Sequence, residues 1–253
     1  MARPPMSGLG QAIAFLTRVP LSSAHGVDKA AAWFPLVGAL VGVTVAGAYW
    51  ALFPWVPSLL AAIVAVTLGV LLTGAFHEDG LADSFDAIGS GETGQAALRI
   101  MRDSRLGTYG TVAVVLSVTW RVVALGSLTP PGALAGLVMA HSLGRAGAVA
   151  LLLSPPARSD GLGASSASMV TPRSVWFAVA FGLVLSTLAA GLLVGAALVA
   201  VGLIVVVLRR SALRRLGGVT GDISGACEQV SEMLVLAIAA GAAWRGWAPW
   251  WAG

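Results

Sequence analysis

Three stretches of this sequence concentrate the side chains that could do chemistry. The densest reads His77-Glu78-Asp79-Gly80-Leu81-Ala82-Asp83-Ser84-Phe85-Asp86. Continued as a helix from the apolar run before it, Asp79, Asp83 and Asp86 fall at i, i+4 and i+7 on one face. Three carboxylates on one stripe repel, so a cation is expected among them. Hard divalent cations bind through carboxylate oxygens, and Mg²⁺ takes a couple of carboxylates together with waters and substrate phosphates. Glu78 is a further metal-ligand candidate, and Gly80 would let a phosphate approach the backbone closely. The alternative is a solvated helix end whose charges serve only topology.

The second stretch, Arg99-Ile100-Met101-Arg102-Asp103-Ser104-Arg105-Leu106-Gly107-Thr108-Tyr109-Gly110, places three Arg within seven residues. Cations beside a carboxylate stripe suit a diphosphate ester, with metal on some phosphate oxygens and guanidinium forks on others. Taken alone it reads equally as a basic loop flank. The third stretch runs from Arg214 to Glu228 and contains Gly217, Gly218, Gly221 and Gly225. A backbone this glycine-rich can expose amides to an anion, and Thr220 and Asp222 could complete a metal or hydroxyl site. It matches no Walker pattern. Inside apolar segments, Arg145 follows His141 by one helical turn and Arg121 stands alone. An Arg at membrane depth is expensive and therefore a functional candidate, which makes Arg145 a catalytic candidate facing a polar cavity.

These residues hang on apolar elements. Of 253 residues, 57% are hydrophobic and 10% charged, where a soluble domain carries roughly a quarter charged residues. Mean hydropathy is +0.88. A soluble globular domain, a disordered chain and a disulfide scaffold are all excluded, the last because Cys227 is the only cysteine. A membrane-crossing helix needs about 20 mostly apolar residues, and such runs occur at 32–53, 57–76, 108–128, 132–153 and 228–247. The run 175–208 is too long for one crossing and is broken near Gly191. The expected architecture is all-α, a polytopic integral membrane helix bundle of about seven transmembrane helices. Residues 7–18 add an N-terminal amphipathic helix on the membrane surface. No repeat or linker marks a boundary, so residues 1–253 read as one membrane-embedded catalytic domain. Twelve of the 15 basic residues fall in the loops at one end, which positive-inside sorting makes cytoplasmic. The net charge of +4 thus belongs to those loops and calls for no nucleic acid. The acidic residues gather on the same side, which points to a cytoplasmic site.

In order along the chain, several segments together resemble the cobalamin synthase family. They are Phe15-Leu16-Thr17-Arg18-Val19-Pro20, Phe34-Pro35-Leu36-Val37-Gly38, His77 through Asp86, Met101 through Gly110, and Gly217 through Glu228. Ala157-Arg158-Ser159-Asp160-Gly161-Leu162-Gly163 is similar to the family's counterpart loop. Arg121, where a lysine is usual, and Ser224, where a leucine is, depart from the pattern. The resemblance implies a Mg²⁺-dependent enzyme of the inner membrane that joins adenosylcobinamide-GDP to α-ribazole or its 5′-phosphate and releases GMP. The 3′-hydroxyl of the ribazole would attack the phosphorus nearest cobinamide. On this reading Asp79, Asp83 and Asp86 hold metal, with Glu78 and Asp222 as further ligands, while Arg102, Arg105 and Arg145 stabilise charge. One carboxylate, Asp83 or Asp86, instead takes the hydroxyl proton. His77, Asp103, Ser104, Arg158, Gly217, Gly218 and Thr220 are expected to bind substrate. Another Mg²⁺-dependent phosphotransferase or a prenyltransferase would use a similar stripe, and a transporter would place ionisable groups near the bilayer midplane. A homo-oligomer is left open.

Overall fold

The computed structural model describes residues 8–21, 30–157 and 170–252. Among these residues ten α-helices carry the fold: α1 (Gly8–Leu16), α2 (Phe34–Leu52), α3 (Ser58–Thr73), α4 (Phe76–Gly89), α5 (Gly94–Ile100), α6 (Thr108–Gly126), α7 (Pro130–Leu151), α8 (Pro172–Ala190), α9 (Val194–Leu216) and α10 (Gly221–Trp244). Among the described residues there is no strand, only an isolated bridge between Pro156 and Val219. Five of the described helical stretches are long and apolar enough to cross a membrane, six when the bent pair α3–α4 is taken as one span. The molecule is a helical membrane bundle.

The bundle is built around α7, of which 89% of the spanning window is buried. Small residues make this depth accessible. A side chain at Gly42 would meet the Leu137 carbonyl oxygen at 2.7 Å, and one at Gly38 would strike the His141 backbone. The Gly38–Gly42 spacing lets α2 and α7 touch backbone to backbone, as small-residue pairs do in membranes. α10 covers a second side of α7, meeting it at Gly136 and Gly144.

The long apolar run 172–216 folds back at Gly191, whose φ of +61 suits a residue without Cβ. Gly182 of α8 faces Ala146, while Val201 and Val205 of α9 face Gly147 and Arg209 donates to the Ser154 hydroxyl at 3.0 Å. α8 therefore runs antiparallel to α7 and α9 parallel to it, and the expected break near Gly191 is present. The surface helix α1 does more than lie on a membrane. Its Ala12 and Leu16 are buried in a cluster with Phe34, Val149 and Val175 from three other helices.

One expectation about the elements fails. The acidic stretch does not continue the preceding span. α3 ends at Thr73, Gly74 and Ala75 both adopt left-handed backbone (φ 68 and 57), and α4 leaves at 88°. The Ala75 amide donates to the Val70 carbonyl at 2.9 Å, closing the end of α3. Ala75 is the one non-glycine at positive φ among the described residues, a conformation that is uncommon for alanine and marks a constrained corner. The corner swings α4 beneath the bundle, so that it packs against α6 and α10 and buries one of its faces.

Candidate active site

The charged side chains inside the bundle form one network across four helices. α4 supplies His77 and Glu78, α6 supplies Arg121, α7 supplies His141 and Arg145, and α10 supplies Glu228 and Glu232, four residues apart on one face. All seven are buried; Arg145 is 1% exposed and Glu228 0%. Arg121 donates to Glu78 at 3.0 Å and to Glu232 at 3.2 Å. His141 pairs with Glu232, and His77 Nδ1 stands 3.6 Å from Glu228. Ser117 donates to Gln229 at 3.0 Å, and Gln229 donates to Glu228 at 3.0 Å. Ion pairs taken out of water need such supporting hydrogen bonds, because removing one partner leaves an uncompensated charge.

His141, Glu228 and Glu232 are the described residues whose ligand atoms lie close enough together, within 4.8 Å, to hold one ion. The space between them is filled. Arg145 Nη1 lies 2.6 Å from Glu228 Oε1, 3.3 Å from Glu232 Oε1 and 3.1 Å from His141 Nδ1. The guanidinium sits where a metal would sit, so this triad is a socket for Arg145. Arg145, the catalytic candidate expected to face a polar cavity, has two glutamates of α10 as its partners. Glu78, a metal-ligand candidate by sequence, accepts from Arg121 through one of its oxygens. Ionisable groups thus lie within the bundle as well as at its mouth, paired to one another.

At the mouth the stripe divides. Asp79 is exposed and Asp83 half-buried, but Asp86 accepts from the Gly107 amide at 2.7 Å through one oxygen and from the Gly110 amide at 2.8 Å through the other. Those amides belong to the first turn of α6, which has no carbonyls ahead of it to bond. A carboxylate there also favours the helix dipole. Asp86 is therefore a cap supplied from a neighbouring helix, with each of its oxygens engaged by a backbone amide. Gly80 brings the remaining carboxylates toward α10: a Cβ on it would lie 2.9 Å from the Asp222 carbonyl oxygen and 3.3 Å from the Gly225 Cα. Asp222, in the first turn of α10, thereby joins the region of Asp79 and Asp83.

The basic loop is exposed. Arg105 grips Asp103 with Nη2 at 2.6 Å, and this guanidinium holds the Asp103 carboxyl down to about 2. The pair stays ionised through the neutral range and loosens only as pH falls toward that value. Arg102 and Ser104 are exposed beside it. The glycine-rich loop has a different use from the anion nest expected of it. Gly217 ends α9 at φ 76, and Gly218 presses on the 155–157 backbone, where Val219 donates to the Pro155 carbonyl at 2.8 Å. Thr220 accepts from the Ile223 amide at 3.2 Å and caps α10. These three residues set the start of α10. Arg158 lies outside the described residues.

Reading the sequence alone does not single out Glu228, Gln229 and Glu232. A signal for them exists: two glutamates one turn apart in an otherwise apolar run, matching the one-turn spacing of His141 and Arg145.

Comparison with known proteins agrees with the motifs. The family model for cobalamin-5-phosphate synthase matches residues 8–240. A protein of Bradyrhizobium diazoefficiens named adenosylcobinamide-GDP ribazoletransferase is 44% identical over 241 residues, covering 90% of this chain and 91% of its own. Proteins of the same name from Ralstonia pickettii and a Shewanella species are 40% and 36% identical, covering 90% and 88% of this chain and 93% and 89% of theirs. No solved structure matches.

Proposed function

The chain belongs to the cobalamin-5-phosphate synthase family, and from that premise we propose that it is the transferase that joins adenosylcobinamide-GDP to α-ribazole or its 5′-phosphate, releasing GMP. The relatives' shared name and the coverage of nearly the whole chain support the reaction. The observation that carries the site is the close approach of Gly80 to Asp222 and Gly225, which brings the first turn of α10 to the α4 segment that carries Asp79 and Asp83, while the interior charges pair with one another.

In the reaction the ribazole 3′-oxygen forms a bond to the phosphorus nearest cobinamide, and the bridging oxygen leaves with GMP. Asp83, half-buried on α4, accepts the hydroxyl proton or orients the hydroxyl. Arg102, on the exposed basic loop, neutralises charge on the diphosphate, and Arg105 does so when it exchanges Asp103 for phosphate. Such transfers depend chiefly on positioning and charge stabilisation. The donor set at the mouth is hard oxygen and suits Mg²⁺, whereas the interior triad is filled by Arg145 and does not. The Asp79, Asp83 and Asp222 carboxylates do not converge on one point as the interior triad does, so one or two of them would hold the ion together with substrate phosphate oxygens, where it would supply charge neutralisation for the diphosphate. The network around Arg145 acts one layer back, holding α4 against α10.

The protein lies in the bacterial inner membrane with this mouth on the cytoplasmic side, a placement supported by the basic loops at the same end. Purified protein reconstituted in lipid should release GMP from adenosylcobinamide-GDP only when α-ribazole and Mg²⁺ are both supplied. GMP release without ribazole, or none with both, would reject the reading.

A further inference from the structure

Beside the charge network lies a pocket that the proposed roles leave unused. It is bounded by α1, α2, α4, α7 and the first turns of α10. Its walls are overwhelmingly apolar. Phe15 stacks on Phe34 with centroids 5.5 Å apart and meets Phe76 edge to face at 5.4 Å. Its polar side is His77, Arg145 and Ser224, whose hydroxyl is already donated to the Thr220 carbonyl. Arg145 is buried, and its Nε has no hydrogen-bond partner, an orphaned donor that a buried guanidinium keeps only at a cost.

Resting on the function proposed above, we infer that this pocket holds the base of the ribazole. A benzimidazole is a flat apolar bicycle with a single imine nitrogen left free by the sugar, and it needs aromatic walls and one donor. Phe15, Phe34 and Phe76 offer faces and edges for stacked and edge-on contact, and the Arg145 Nε–H supplies the donor. A guanine ring carries several donors and acceptors on its edges, and most would be left unpaired against walls this apolar. A lipid chain would leave the buried Arg145 donor unanswered. The direction of the sugar follows from Gly225, which lines the pocket and also abuts Gly80. A nucleoside held here by its base emerges at the seam between α4 and α10, the helices that carry Asp79, Asp83 and Asp222.

The test is calorimetric binding of α-ribazole and, separately, of adenosylcobinamide-GDP to the full chain in lipid nanodiscs. Ala148, small and lining the pocket, is the position to fill. Ala148→Phe should weaken α-ribazole binding at least about tenfold while adenosylcobinamide-GDP binding stays within about twofold. Phe76→Leu, at a partly exposed ring, removes only stacking and should weaken α-ribazole by about three- to tenfold. It serves if Ala148→Phe fails to fold. Ribazole affinity unchanged in the variants, or an equal loss for both substrates, overturns the assignment. Those results in a parent that releases GMP would leave the family reaction standing. A parent that releases none would instead sink the function on which this inference rests.

Discussion

Asp83 and Glu92 occupy neighbouring stretches of the same segment and differ in what surrounds them. Asp83 is half-buried on α4, and its charge is expected to hold metal or take the hydroxyl proton. Glu92 is exposed between α4 and α5. A metal provides several kcal/mol of transition-state stabilisation, and about 1.4 kcal/mol is tenfold in rate. Asp83→Asn should therefore reduce GMP release by about a hundredfold or more, whereas Glu92→Gln should stay within a few-fold. Equal losses would remove the stripe from the mechanism. Arg145 calls for a different readout. Arg145→Leu leaves Glu228 and Glu232 facing each other without their shared cation, at a cost of about 3–5 kcal/mol in stability. Detergent-solubilised Arg145→Leu should lose thermal stability accordingly, and adding Glu228→Gln should restore part of it, as coupled neighbours do in a double-mutant cycle. An Arg145→Leu protein as stable as the parent would show that the socket is not structural.

Between elements, the contact that matters most for the site is that of α4 with α10. At Gly80 the obstacle to a side chain is the Asp222 backbone rather than a flexible tip, so the helices would have to separate. Gly80→Val should destabilise by about 1–3 kcal/mol and lower activity more than stability alone explains, by about tenfold or more, because it moves Asp222 away from Asp79 and Asp83. Gly202, in the middle of α9, has open space where a Cβ would stand, and Gly202→Ala should be neutral or slightly stabilising through helix propensity. Melting temperatures and GMP release for the two variants check this pairing of effects. If Gly80→Val kept full activity, the carboxylates would not need the contact.

Across the whole molecule the two ends differ in kind. The end away from the stripe carries Trp55, Trp244, Trp247, Trp250 and Trp251, as an interfacial belt does. Trp250 and Trp251 donate to the last carbonyls of α8, at Leu188 (3.1 Å) and Ala189 (2.9 Å), and so tie the C-terminal tail to the Gly191 turn. Basic loops crowd the other end. The native thiol cannot report on sidedness, since Cys227 is fully buried. Glu92→Cys places a thiol on the exposed α4–α5 connection instead. An impermeant maleimide should label it only after permeabilisation of right-side-out cells, and labelling of intact cells would invert the proposed orientation.

Composition and motif order were enough to establish a membrane helix bundle and its family, because lipid demands long apolar helices and the loop motifs stand in a fixed succession. The reversal at Gly191 was legible from length alone, a core of about 30 Å being too thin for the run. Spacing also placed Asp79, Asp83 and Asp86 on one helix, since that follows from about 3.6 residues per turn whatever the helix packs against. What those carboxylates do was decided elsewhere. The 88° corner at Gly74–Ala75 directs α4 under the bundle, and only then does Asp86 meet the amides of α6, Glu78 meet Arg121, and Gly80 meet Gly225. Arg145 shows the same division. Its sequence position revealed a buried cation, but its counter-charges lie 83 and 87 residues away on α10, and pairing over such a separation is set by tertiary packing, which no local pattern encodes.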